Sequence, residues 1–85
     1  MGHDIEKEII TMLSTMTGFE PDEIKLETNI VKDLGVDSLK IIEIASAIDL
    51  KYKVVVEESH LVKIRTVGQT IALVKELLEK KQKES

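Results

Sequence analysis

The sequence predicts an all-α protein, a four-helix bundle with three longer helices, one short third helix and a long first loop. Three observations carry this. Apolar residues recur at helical spacing in three separate stretches. One stretch alone, residues 51–58 (KYKVVVEE), has the β-branched composition of a strand, and no second convincing strand exists to pair with it. Aromatic residues make up 2% of the 85 residues against 42% hydrophobic, so the core must be built from Ile, Leu, Val and Met. This length implies one domain, 1–85, with a modest core.

The first helix is expected over about 5–16, where Ile5, Ile9, Met12, Leu13 and Met16 share one face. Asp4 can cap its start, and Gly18 lies just past its end. Residues 17–37 show no sustained period and are expected to cross the bundle as a loop. Phe19, Ile24, Leu26, Ile30, Leu34 and Val36 would pin that loop, with a helical turn near 29–33. The second helix is expected over 38–51, with Ile41, Ile44, Ala45, Ile48 and Tyr52 as its core stripe. A second stripe, Leu39, Ile42, Glu43 and Ser46, is surplus to that core. Its apolar members either lean on the preceding loop or meet a partner. The KYKVVVEE stretch is read as an extended connection into a short third helix near 57–63, on which His60 is expected to be exposed. Thr66-Val67-Gly68-Gln69 fits a capping box. It opens a last helix over about 67–80 that buries Val67, Ile71, Val74, Leu77 and Leu78, with 81–85 expected to fray.

Several function classes are disfavoured at once. The formal net charge of −4 argues against a nucleic-acid partner, which needs a basic face. With no cysteine, disulfides, zinc thiolates and a cysteine nucleophile are excluded, as is a thioester on the chain's own side chains. No apolar run approaches the roughly 18 residues of a membrane span. The start lacks a signal-peptide pattern, and Met1-Gly2 is followed by Glu6 where myristoylation needs Ser or Thr. A soluble, cytoplasmic, monomeric protein is the expectation.

The stretch 33–42, DLGVDSLKII, holds the residue most in need of explanation, Ser38. As a nucleophile it would need a base and an oxyanion hole. The histidines are His3 and His60, and the Gly-x-Ser-x-Gly elbow is missing, so no catalytic residue is assigned. As part of a helix cap it is secondary to Asp37, which accepts from the free amides itself. A helix N-terminus also favours an attached anion such as a phosphodiester. A serine modified there by another enzyme needs no local base.

The run DLGVDSLKIIEI resembles the attachment motif of acyl carrier proteins, Leu-Gly-x-Asp-Ser-Leu followed by a helix with an acidic residue. FEPDEIKLET resembles that family's first loop, and KIRTVGQTI its approach to the last helix. The resemblance implies an acyl-carrier bundle with 4′-phosphopantetheine on Ser38, whose thiol would explain the missing cysteine. Asp37 and Leu39 would flank the attachment, Asp37 helping to position a phosphopantetheinyl transferase and its metal ion; the chain itself would hold no metal. Leu39, Lys40, Ile42, Glu43 and Ser46 would dock acyl-transferring and chain-elongating enzymes. Ile41, Ala45, Ile48, Leu61 and Ile64 would line an acyl pocket between the second and third helices.

Departures from the family pattern bear on its clients. Lys40 and Lys51 stand where acids are usual, and Glu57 replaces a frequent proline. From Ser38 to Lys53 the net charge is +1, whereas residues 20–37 carry −4. Leu61 is bulkier than the usual residue, which predicts a shallow pocket. The implied function is delivery of thioester-bound acyl groups in fatty-acid or related biosynthesis. The alternatives are a carrier dedicated to a polyketide, peptide or special lipid pathway, or a helical interaction domain in which Ser38 is only a cap residue.

Overall fold

The computed structural model describes residues 4–84. The Met1-Gly2 start, His3 and Ser85 lie outside the described residues. Four α-helices follow in order: α1 (Ile5–Thr17), α2 (Ile30–Leu34), α3 (Ser38–Tyr52) and α4 (Val67–Glu84). Two 3₁₀ helices join them, Pro21–Glu23 in the first loop and Glu58–Lys63 between α3 and α4. The short third element is therefore 3₁₀ rather than α, and residues 51–58 form no strand.

Each boundary has a local cause. Asp4 accepts from the Lys7 N–H at 3.2 Å to start α1, and Gly18 ends it with φ 85°. Asn29 and Asp33 cap α2 reciprocally: Asn29 accepts from the Lys32 N–H and Asp33 from the Asn29 N–H, both at 2.8 Å. The expected capping box on α4 is made, Gln69 N–H to the Thr66 hydroxyl and Thr66 N–H to Gln69 Oε1, each 3.1 Å. α4 runs past the expected residue 80 to Glu84. Lys81 in this extension donates to the Tyr52 carbonyl at 3.3 Å, and Lys83 pairs with Glu79 at 3.8 Å.

The core is aliphatic, as composition requires. Ile9, Leu13, Ile30, Ile44, Ile48, Val67, Leu73 and Val74 are fully buried. Thr70 is buried with them and satisfies its hydroxyl on the Thr66 carbonyl at 2.9 Å. Tyr52, the one tyrosine, is buried at the end of α3 and donates to Glu8 Oε1 of α1 at 2.7 Å. The expected loop anchors divide: Ile24, Ile30, Leu34 and Val36 are buried, but Phe19 and Leu26 stay at the surface. His60 is half-buried rather than exposed, because its Nδ1 accepts the Glu57 N–H at 3.0 Å and caps the second 3₁₀ helix.

What holds the long loop is invisible to periodicity. Three backbone bonds stitch it to the start of α4. The Ile30 N–H donates to the Arg65 carbonyl (2.8 Å), the Val67 N–H to the Thr28 carbonyl (3.1 Å) and the Gly68 N–H to the Leu26 carbonyl (2.8 Å). Glycine at 68 suits this approach, since a Cβ there would sit 3.2 Å from the Leu26 carbonyl oxygen. The stitching places α2 and the entry to α3 beside the second 3₁₀ helix.

Candidate functional site

The sequence from Leu34 to Lys40 builds a turn that presents one side chain outward. Leu34 and Val36 are buried and act as anchors on either side of Gly35. Gly35 ends α2 in the left-handed region with φ 67°, which a β-carbon disfavours. Asp37 is the N-cap of α3, its carboxylate accepting from the Lys40 N–H at 2.9 Å and its carbonyl from the Ile41 N–H at 3.0 Å. Ser38 is the first residue of the helix and is exposed. Its hydroxyl has no hydrogen-bond partner among the described residues, and the amides of Ser38 and Leu39 lie at the open end of the helix.

A groove of about 620 Å³ begins at Asp37 and Ser38 and runs between α3 and the second 3₁₀ helix. Of the five residues expected to line a pocket here, Ile41, Leu61 and Ile64 do so. Ala45 and Ile48 do not. They point into the bundle, 7% and 0% exposed, because neighbouring elements cover that part of the stripe they share with Ile41. Four lining residues escaped sequence reasoning: Val31, Val36, Val62 and Arg65. Only the backbone stitching brings them together, although Val36 was legible as a buried neighbour of the Ser38 turn. The groove is open to solvent, and its volume falls within the range of small-molecule sites.

The second stripe of α3 faces solvent. Leu39 is 71% exposed and Ile42 51%, and Val62 across the groove is 72% exposed. Leu39 therefore does not lean on the preceding loop. Ser46 is exposed beyond them. Lys40 and Glu43 pair with each other at 3.2 Å. Such an exposed pair stabilises by at most about 1 kcal/mol, so its main effect is to cancel charge locally. Acidity is concentrated between α1 and α3, where Glu20, Asp22, Glu23 and Glu27 of the first loop and Asp33 of α2 are all exposed. Among the described residues no His, Asp or Glu cluster could hold a metal ion, and no helix is long and apolar enough to cross a membrane.

Residues 7–74 match the family model of the phosphopantetheine attachment site. The chain belongs to the acyl carrier protein family. The acyl carrier protein of Rhodococcus erythropolis is 36% identical over 74 residues, which cover 87% of this chain and 81% of that one. The meromycolate extension acyl carrier protein of Mycobacterium tuberculosis is 39% identical over 71 residues, 84% of this chain. This chain spans 62% of the length of that mycobacterial relative. Among solved structures, the apo doublet acyl carrier protein from prodigiosin biosynthesis superposes with a TM-score of 0.72 at 21% identity, over 85% of this chain and 35% of that one. That likeness is one of fold.

Acyl carrier proteins are carriers rather than catalysts, and their covalent cofactor is 4′-phosphopantetheine. The turn at Ser38 fits such a group. It combines a reachable, unpartnered hydroxyl, the positive end of a helix dipole for the phosphate and an adjoining apolar groove. When bound, the group supplies the thiol that the cysteine-free chain lacks.

Proposed function

We propose that this chain carries acyl intermediates as thioesters on a 4′-phosphopantetheine arm joined to Ser38 Oγ. It delivers them to acyl-transferring and chain-elongating enzymes of fatty-acid or related biosynthesis. The carrying observation is the Ser38 hydroxyl, exposed and unpartnered on the first residue of α3 at the mouth of an apolar groove. No base or oxyanion hole is required, because a phosphopantetheinyl transferase makes the bond. Asp37 holds the turn in shape for that enzyme through its cap on Lys40. Leu39 and Ile42 offer the apolar contact for docking, Ser46 borders them, and the acids of the first loop attract basic partners.

One observation is compatible with a dedicated set of clients. The Lys40–Glu43 pair leaves the docking helix without an acidic face. The specialised role named for the mycobacterial relative is compatible with this.

The test is intact mass after incubation with a transferase and coenzyme A. The wild type should gain one phosphopantetheine, and Ser38→Ala should gain none while keeping its helical spectrum. Modification of Ser38→Ala would overturn the assignment.

A further inference from the structure

Arg65 lines the same groove as Asp37 and Ser38, yet nothing in the bundle employs its charge. Its backbone is held rigidly. The Arg65 carbonyl accepts the Ile30 N–H at 2.8 Å, Ile64 before it is buried, and Thr66 after it caps α4. Only the side-chain rotors remain free. Arg65 is the one basic residue in the groove lining. The one acidic residue there, Asp37, has its carboxylate turned onto the Lys40 amide. Lys40 itself is engaged with Glu43. Among the described residues Arg65 has no ion-pair partner.

An unpaired guanidinium on a largely aliphatic wall is suited to an anion that arrives with the ligand. Its planar fork of donors matches two oxygens of a phosphate or carboxylate. Which anion is decided by covalent connection: an arm ester-linked to Ser38 fixes a phosphodiester charge at the mouth of this groove. We propose that the Arg65 guanidinium holds the phosphodiester of the prosthetic arm and orders the root of the arm along the groove. Arg65 is thus a positioning residue, and the inference rests on the attachment at Ser38.

The test compares the full chain before and after transferase treatment, with conversion followed by intact mass and no acyl group loaded. Omitting the acyl group separates the phosphate from a carboxylate carried on the cargo. NMR then reads two signals: the Arg65 Nε–Hε resonance, and the mobility of the arm amide nearest the phosphate in a labelled arm. Conversion should shift the Arg65 resonance and leave that amide less mobile than in free coenzyme A. Arg65→Gln should lose most of that ordering with the helical amide spectrum unchanged, since the side chain is exposed. Arg65→Lys should keep part of it. Full conversion with an unmoved Arg65 resonance, or with equal arm mobility in wild type and Arg65→Gln, would overturn the proposal and leave the carrier reading intact. Absence of any mass gain would overturn that reading as well.

Discussion

Replacing Leu61 by alanine asks whether one side chain limits how far an acyl chain enters the groove. Leu61 sits on the second 3₁₀ helix, half-buried, with Ile41 and Ile64 on the same wall. Leu→Ala removes three carbons, which at about 0.8 kcal/mol each comes to roughly 2.4 kcal/mol for full burial. Leu61 is partly exposed, so about 2 kcal/mol or less is the expected cost. The further penalty for a sealed void, which takes fully buried Leu→Ala changes to roughly 5 kcal/mol, does not apply where the groove opens to solvent. For a domain of this size that is a fall in Tm of at most about 16 °C. The assay is thermal unfolding, followed by far-UV circular dichroism, of wild type and Leu61→Ala loaded with acyl chains of increasing length. A long chain entering the wild type must move Leu61 aside, whereas in the variant it refills vacated space. Long chains should therefore recover most of the lost stability in Leu61→Ala and stabilise the wild type less. Equal stabilisation of the two proteins by long chains would show that Leu61 does not limit entry and that the groove is not where the chain lies.

Lys40→Glu breaks the Lys40–Glu43 pair but places an acid in the first turn of α3, where the helix dipole favours it, so stability should stay within about 1 kcal/mol. The same variant should associate faster with generic fatty-acid enzymes at low salt and lose that gain at high salt; unchanged rates would remove Lys40 from partner choice. Asp37→Ala should cost about 1 kcal/mol through loss of the cap on Lys40, measured by denaturant unfolding. Asp37→Asn should keep that stability yet slow transferase loading, and unimpaired loading would limit Asp37 to capping. Burial, then the hydrogen bond to Glu8 and its negative charge, push the Tyr52 phenol well above its ordinary value. The folded protein thus keeps this proton where the unfolded chain releases it, and stability should decline as pH rises past about 10. Tyrosinate absorbance reports on this residue alone, and ionisation near pH 10 with the helices intact would contradict the packing at the end of α3.

The helices were legible because their determinants are local. Ile5, Ile9 and Leu13 on α1, and Ile44, Ala45 and Ile48 on α3, show their burial through spacing alone, and Asp4, Asp37 and Thr66 announce helix starts by side-chain chemistry. The turn at Ser38 was legible for the same reason, since Gly35, Asp37 and Ser38 act within a few residues of one another. Two details fell outside the pattern of apolar spacing. His60 was read as exposed but caps its own 3₁₀ helix through Nδ1, and the expected frayed end is helical through Glu84, with Lys81 on the Tyr52 carbonyl.

The groove belongs to the other category. Ala45 and Ile48 share a stripe with Ile41, yet only Ile41 reaches the groove, because the neighbouring elements decide which part of a stripe is left uncovered. Val31, Val62 and Arg65 come from α2, the second 3₁₀ helix and the segment before α4, and no period relates them. They converge because the Ile30, Val67 and Gly68 amides bond across the chain to carbonyls of Arg65, Thr28 and Leu26. The sequence alone therefore determined the helices and the presentation of Ser38, which depend on side-chain spacing and capping within a turn or two. The tertiary structure decided what surrounds Ser38, because backbone pairing between distant segments carries no side-chain signature.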